Sequence, residues 1–110
     1  LSRSKGDKAE QKACDYLQSH GFTIIEQNFY AKKLGEIDII ASKNGVYHFI
    51  EVKSANEYET AVYNITASKL SKLMRSIDYY VQQKNLKNDY TLDAIIVTQE
   101  QIEFLENITL

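Results

Sequence analysis

Residues 35–54 read GEIDIIASKNGVYHFIEVKS. Two apolar runs rich in branched residues flank Asn44-Gly45, and Asn-Gly between such runs is a strong hairpin signal because both residues tolerate positive φ. The pattern predicts strands over 35–42 and 46–53. With a two-residue turn, Lys43 faces Val46. Counting outward puts Asp38 opposite Glu51 and Glu36 opposite Lys53. Side chains alternate along a strand, so all four are expected on one face. Pair types also alternate, which makes Asp38 and Glu51 a non-hydrogen-bonded pair with Cβ atoms ~4.5–5.5 Å apart.

Two carboxylates held face to face repel each other and destabilise a sheet. They become tolerable if one is protonated, if both are solvated, or if a cation sits between them. Oxygen donors suit hard cations such as Mg²⁺ or Mn²⁺, and Mg²⁺ commonly takes one or two carboxylates, keeps waters and engages substrate phosphate. Lys53 reaches toward the same place. An ammonium there can orient a water, help deprotonate it, or offset charge in a phosphoryl transition state.

Outward from the hairpin, Ser4 to His20 reads as a helix, with Ala9, Ala13, Tyr16, Leu17 and His20 on one face. Ser4 or Asp7 is placed to cap its start and Gly21 to stop it. A short strand is expected over 22–27 and a loop over 28–34. The polar segment 54–65 also reads as loop. A second helix is expected over 66–83, where Leu70, Leu73, Met74, Ile77, Tyr80 and Val81 form an apolar stripe. Tyr90 to Val97 is a strand, and Ile102 to Leu105 a last short one. The order α-β-β-β-α-β, with a terminal strand, predicts an α/β domain in which helices flank a central mixed sheet.

The chain has 110 residues, 44% hydrophobic and 25% charged, so residues 1–110 are expected to form a single domain of ordinary globular composition. No apolar run approaches the ~20 residues a membrane helix needs. Cys14 is the single cysteine, which excludes an internal disulfide and a multi-cysteine zinc site. A lone cysteine and no secretory pattern point to a reducing, cytoplasmic setting. The net charge of −2 does not advertise nucleic-acid binding. Its distribution is uneven, however. Arg3, Lys5, Lys8 and Lys12 crowd the first twelve residues, and Lys69, Lys72 and Arg75 share the second helix.

The acid before the turn and the Glu51-Val52-Lys53 triplet after it resemble the PD-(D/E)xK nuclease superfamily, with Ile37 where that pattern has proline. A wider pattern resembles the YraN family of bacterial proteins. It comprises Gly6, Glu10, Ala13, Leu17, Gly21, Asn28, Gly35-Glu36-Ile37-Asp38, Phe49-Ile50-Glu51-Val52-Lys53 and Lys69. That resemblance implies a restriction-endonuclease-like fold, similar in outline to archaeal Holliday-junction resolvases. It implies Asp38 and Glu51 as ligands of Mg²⁺ or Mn²⁺, Lys53 as the catalytic lysine and Glu10 as the helix-borne acid. It also implies DNA as partner, with a homodimer suiting a two-fold junction. The resemblance implies arginines shortly after Asn28 and shortly after the Glu51-Val52-Lys53 triplet, near where Tyr30 and Ala55 stand here; Lys32 and Lys33 lie close by.

Plainer readings exist for the same residues. Glu36 and Lys53 can form a cross-strand ion pair worth ~0.2–1 kcal/mol. Glu10 fits an exposed helix acid, and Lys69, Lys72 and Arg75 a solvated helix face. His20, His48 and Cys14 read as structural, and Asp93 as a buried, hydrogen-bonded acid. Three functions therefore compete. The first is a metal-dependent nuclease cutting phosphodiesters in DNA, with Lys32, Lys33, Lys69, Lys72 and Arg75 gripping the backbone. The second is a DNA-binding module of the same fold without the chemistry. The third is a protein-interaction domain.

Overall fold

The computed structural model describes residues 5–108; the Ser4 cap and Arg3 lie outside them. In chain order the elements are α1 (Lys5–Ser19), β1 (Thr23–Tyr30), a 3-10 turn (Lys32–Leu34), β2 (Glu36–Lys43), β3 (Val46–Ser54), α2 (Tyr58–Tyr63), α3 (Ala67–Gln83), β4 (Tyr90–Val97) and β5 (Ile102–Leu105). The five strands form one sheet in the order β1-β2-β3-β4-β5. β3 and β4 run parallel and the other neighbours antiparallel, so the sheet is mixed as expected.

The hairpin turn is of the predicted kind, with Asn44 at φ 52° and Gly45 at φ 79°. Lys43 pairs with Val46, and the register continues to Ile39 opposite Ile50. α1 ends at Gly21 (φ 87°), where Phe22 N–H donates to the Leu17 carbonyl and Gly21 N–H to the Gln18 carbonyl. These two bonds form a Schellman cap, which turns Phe22 back onto the core. Asn85 (φ 51°) ends α3 in the same way, with Leu86 N–H donating to the Val81 carbonyl. At the other end of α3, Thr66 Oγ1 accepts from Lys69 N–H at 3.2 Å.

Each sheet face buries one of the two long helices. Ala9, Ala13, Cys14 and Leu17 of α1 pack with Ile39, Ala41, Ile50 and Ile95. Leu70, Leu73, Ile77 and Tyr80 of α3 pack with Ile37, Ile40, Phe49 and Leu92. Cys14 is thus fully part of the core. Among the described residues no helix is long and apolar enough to cross a membrane.

The structure corrects two local expectations and bears out the structural readings of His48 and Asp93. β1 runs on to Tyr30 instead of ending at Gln27, and a bulge at Ile25 shifts its register. The 54–65 segment is not all loop: β3 extends to Ser54, and the six-residue α2 tucks Ala61 against the sheet. His48, remote from any acid in sequence, meets the fully buried Asp93 with Nδ1 2.6 Å from Oδ2. Asp93 Oδ1 accepts from Asn107 N–H at 2.8 Å, which ties the C-terminal segment to β4.

Candidate active site

The β2–β3 ladder stops one pair short of the acids. Its last pair is Ile39 opposite Ile50. Beyond it, Val52 N–H, which the register would aim at β2 backbone, donates to Asp38 Oδ2 at 2.8 Å. The carboxylate therefore fills the gap where the strands part. Side-chain alternation breaks at the same point: Ile39 and Ala41 pack on the α1 side, whereas Ile37 and Ile40 pack on the α3 side. Asp38 sits in that break. It is not one of four carboxylate and lysine side chains in a row on one face, as the simple register predicts. Glu51 and Lys53 do share a face and line a cleft of about 190 Å³ toward α3, together with Glu36, Lys69 and Lys72.

Asp38 nonetheless stands at the junction of the acids. Burial raises the Glu51 carboxyl to about 7, the Asp38 charge adds to the rise, and Lys53 and Lys69 oppose it. Burial also raises Asp38, against the Val52 N–H bond and the Lys53 charge, which lower it. On α1, Glu10 is raised by burial and then by the Asp38 charge, while a hydrogen bond with the Asn28 side chain works the other way. Glu10 is thus brought to Asp38, on the side of the sheet away from the α3 cleft.

The expected Glu36–Lys53 ion pair does not form. Lys53 Nζ lies 3.3 Å from Glu51 Oε1, its neighbour two residues back, and Glu36 is exposed at the cleft rim. Lys69 Nζ donates to the Asn64 carbonyl at 3.1 Å, which holds its ammonium over the cleft. Lys32 and Lys33 are exposed on the 3-10 turn, and Lys32 Nζ lies 5.9 Å from the Tyr79 ring centroid. Arg75 is exposed on α3 and does not line the cleft.

Asn28 joins this constellation although only its place in the family pattern marks it in the sequence. Gln27 pairs with Ile39 and Phe29 with Ile37, so Asn28 lies across from Asp38. Its φ of 52° is left-handed inside a strand, where asparagine is one of the few side chains tolerated. Gly35 marks the other side of β2. It has φ 134°, and a Cβ there would meet Lys72 Cε at 3.3 Å and Ser76 Oγ at 3.4 Å. The start of β2 can thus press against α3.

Among the described residues no three His, Cys, Asp or Glu side chains form a ready metal cluster. The donor set is the pair Asp38 and Glu51. Asp38 Oδ1 has no hydrogen bond to a described protein group, and both carboxyls are in surroundings that disfavour their charge. Two acids of this kind fit a hard divalent ion that completes its shell with water.

A model of the uncharacterised protein family UPF0102 matches residues 9–97. UPF0102 proteins similar to this chain include one from Aliarcobacter butzleri, 61% identical over the full length of both chains. Another, from Sulfurimonas denitrificans, is 56% identical, again over all of both. One from Helicobacter pylori is 50% identical over 97% of this chain and 92% of that protein. Among solved structures the chain is similar to Archaeoglobus fulgidus Hjc, a Holliday junction resolvase from an archaeal hyperthermophile. The TM-score is 0.62 at 18% identity, over 94% of this chain and 73% of that one. The likeness establishes the fold as restriction-endonuclease-like.

Proposed function

The chain belongs to the uncharacterised protein family UPF0102, the YraN family, and from that premise we propose that it is a metal-dependent nuclease hydrolysing phosphodiester bonds in DNA. The observation that carries this reading is the Asp38 carboxylate, fixed in the strand gap by Val52 N–H and within electrostatic reach of Glu10, Glu51 and Lys53.

Asp38 and Glu51 would hold Mg²⁺ or Mn²⁺, which supplies Lewis acidity toward a phosphate oxygen and a more acidic water. Lys53, released from its contact with Glu51 by substrate, would place its ammonium against the phosphate and offset the charge that builds in the transition state. Glu10, anchored by Asn28, would accept hydrogen bonds from water on the α1 side. Lys69 and Lys72 would take the flanking backbone on the α3 side, with Lys32 and Lys33 at the rim. The likeness to a junction resolvase makes branched DNA the first substrate to test.

The direct experiment is incubation of duplex, single-stranded and four-way-junction DNA with Mg²⁺ or Mn²⁺. Cleavage of at least one is expected, with loss of ~100-fold or more in Asp38→Ala and Glu51→Ala. Activity that survives both substitutions removes the assignment. A second reading is a DNA-binding module without turnover, favoured by Tyr30 and Ala55 standing near the places where the resemblance implies arginines. Steeply salt-dependent binding with no cleavage of any substrate would select it.

A further inference from the structure

A recess of about 130 Å³ opens on the α1 side of the sheet, at the carboxyl ends of β3 and β4. Lys8 and Lys12 form one wall, and Ser54, Asn56 and Thr98 line the rest. The two lysines lie four positions apart on α1, so they share a helix face. Neither ammonium has an ion-pair partner among the described residues. No carboxylate lines the recess, in a chain where acids outnumber Lys and Arg 15 to 13. The Ser54 hydroxyl and the Asn56 carboxamide make no hydrogen bond to described protein groups. The recess therefore offers two cations and two uncommitted polar groups, which is the chemistry of a phosphate subsite.

Its position ties it to the cleft. Lys53 turns toward α3, and Ser54, the next residue of β3, turns toward α1. Glu10, which lies between Lys8 and Lys12 in sequence, is the α1 group that feels the Asp38 charge. We propose that this recess binds a second phosphate of the same nucleic-acid strand that lies across Asp38 and Glu51. The strand then crosses the carboxyl ends of β3 and β4 from the α3 side to the α1 side, where open α/β sheets commonly place ligands. The inference rests on the nuclease reading and extends it: the substrate is a strand gripped on both sides of the cut, not a free mononucleotide.

The test uses the full chain carrying Asp38→Ala, so that binding is read without cleavage. Affinity for junction and single-stranded DNA is followed by fluorescence anisotropy across a salt series. Lys8→Gln with Lys12→Gln is expected to reduce the slope of log K against log[salt] by about 1 to 2. Lys84→Gln with Lys87→Gln removes the same charge near the opposite end of β4 and is expected to leave the slope unchanged. Equal slopes for all three proteins, or equal losses in both double variants, overturn the subsite. Inorganic phosphate is titrated separately while the Ser54, Ala55 and Thr98 amide resonances are monitored. Shifts that require DNA support a strand subsite; saturation by phosphate that DNA cannot displace makes it a free-phosphate site and overturns the proposal. A selective slope change in a wild-type chain that never cleaves DNA would support the subsite while removing the nuclease reading. Absence of DNA binding at low salt would remove both.

Discussion

Asp38 meets two demands at once. One oxygen replaces a backbone acceptor for Val52 N–H, and under the proposed function the other would take a cation. Asp38→Asn keeps an oxygen for Val52 but removes the charge, so we expect near-native thermal stability with loss of divalent-ion binding. Asp38→Ala should lose both, with a stability cost of about 1–3 kcal/mol from the unpaired Val52 N–H. Thermal unfolding of the two variants side by side checks this. Glu51 makes the strain between acids readable as pH dependence. Its carboxyl rises from 4.5 to about 7 in the folded chain. The folded state therefore binds a proton more tightly than the unfolded one. That contribution is complete below about pH 4.5, is lost as pH rises through about 7, and amounts to at most ~3 kcal/mol. Urea unfolding without divalent ions should show stability falling between pH 5 and 8, and Glu51→Gln should flatten the fall. Parallel pH curves for the two proteins would contradict the assignment. Added Mn²⁺ at the alkaline end should restore wild type but not Glu51→Gln.

The strand β2 is bounded by two backbone devices. Asn28 faces it in a left-handed conformation and reaches Glu10, and Gly35 lets its start close on α3. Both Asn28→Gly and Asn28→Ala remove the contact to Glu10, but only glycine relieves the left-handed Cβ, whereas alanine keeps a Cβ there at about 1–2 kcal/mol without the local hydrogen bonding of the asparagine side chain. We expect Asn28→Ala to unfold earlier than Asn28→Gly in the same denaturant series, and the reverse order would deny the conformational role. Gly35→Ala should cost about 1–3 kcal/mol for its φ, with Lys72 displaced as a flexible neighbour. The elements themselves were largely legible. Asn44-Gly45 with period-two runs gives the turn and the register as far as Ile39, and the stripe from Leu70 to Val81 gives α3. α2 was not legible, because six residues that bury one alanine leave no stripe. The splay was not legible either. Ile37, Ile39 and Ile40 are all apolar, so no alternation marks the place where β2 changes face. The His48–Asp93 pair depends on the parallel register of β3 and β4, which neither strand encodes alone.

At the scale of the whole molecule, a net charge of −2 hides a segregated surface. Lys69 and Lys72 face the cleft from α3, Lys8 and Lys12 line the recess beside α1, and the acids gather between them. Lys69→Gln and Lys72→Gln should each lower the salt slope of DNA binding by about 1, and Arg75→Gln, outside the cleft, should leave it unchanged. Anisotropy across a salt series decides between them. The candidate catalytic residues were visible as a hairpin pattern and a family resemblance. Their arrangement around a strand gap needed the fold, because Glu10 and Asn28 come from different elements. The proposed nuclease function depends on Asp38 and Glu51 together holding a divalent ion. Electron paramagnetic resonance of Mn²⁺ titrated into the wild-type chain, with junction DNA present, is the decisive measurement. One saturable site, absent in Asp38→Ala and in Glu51→Ala but kept in the Lys8→Gln, Lys12→Gln protein, is the predicted result. Saturable binding that persists in both alanine variants, or no binding in the wild type, would contradict it.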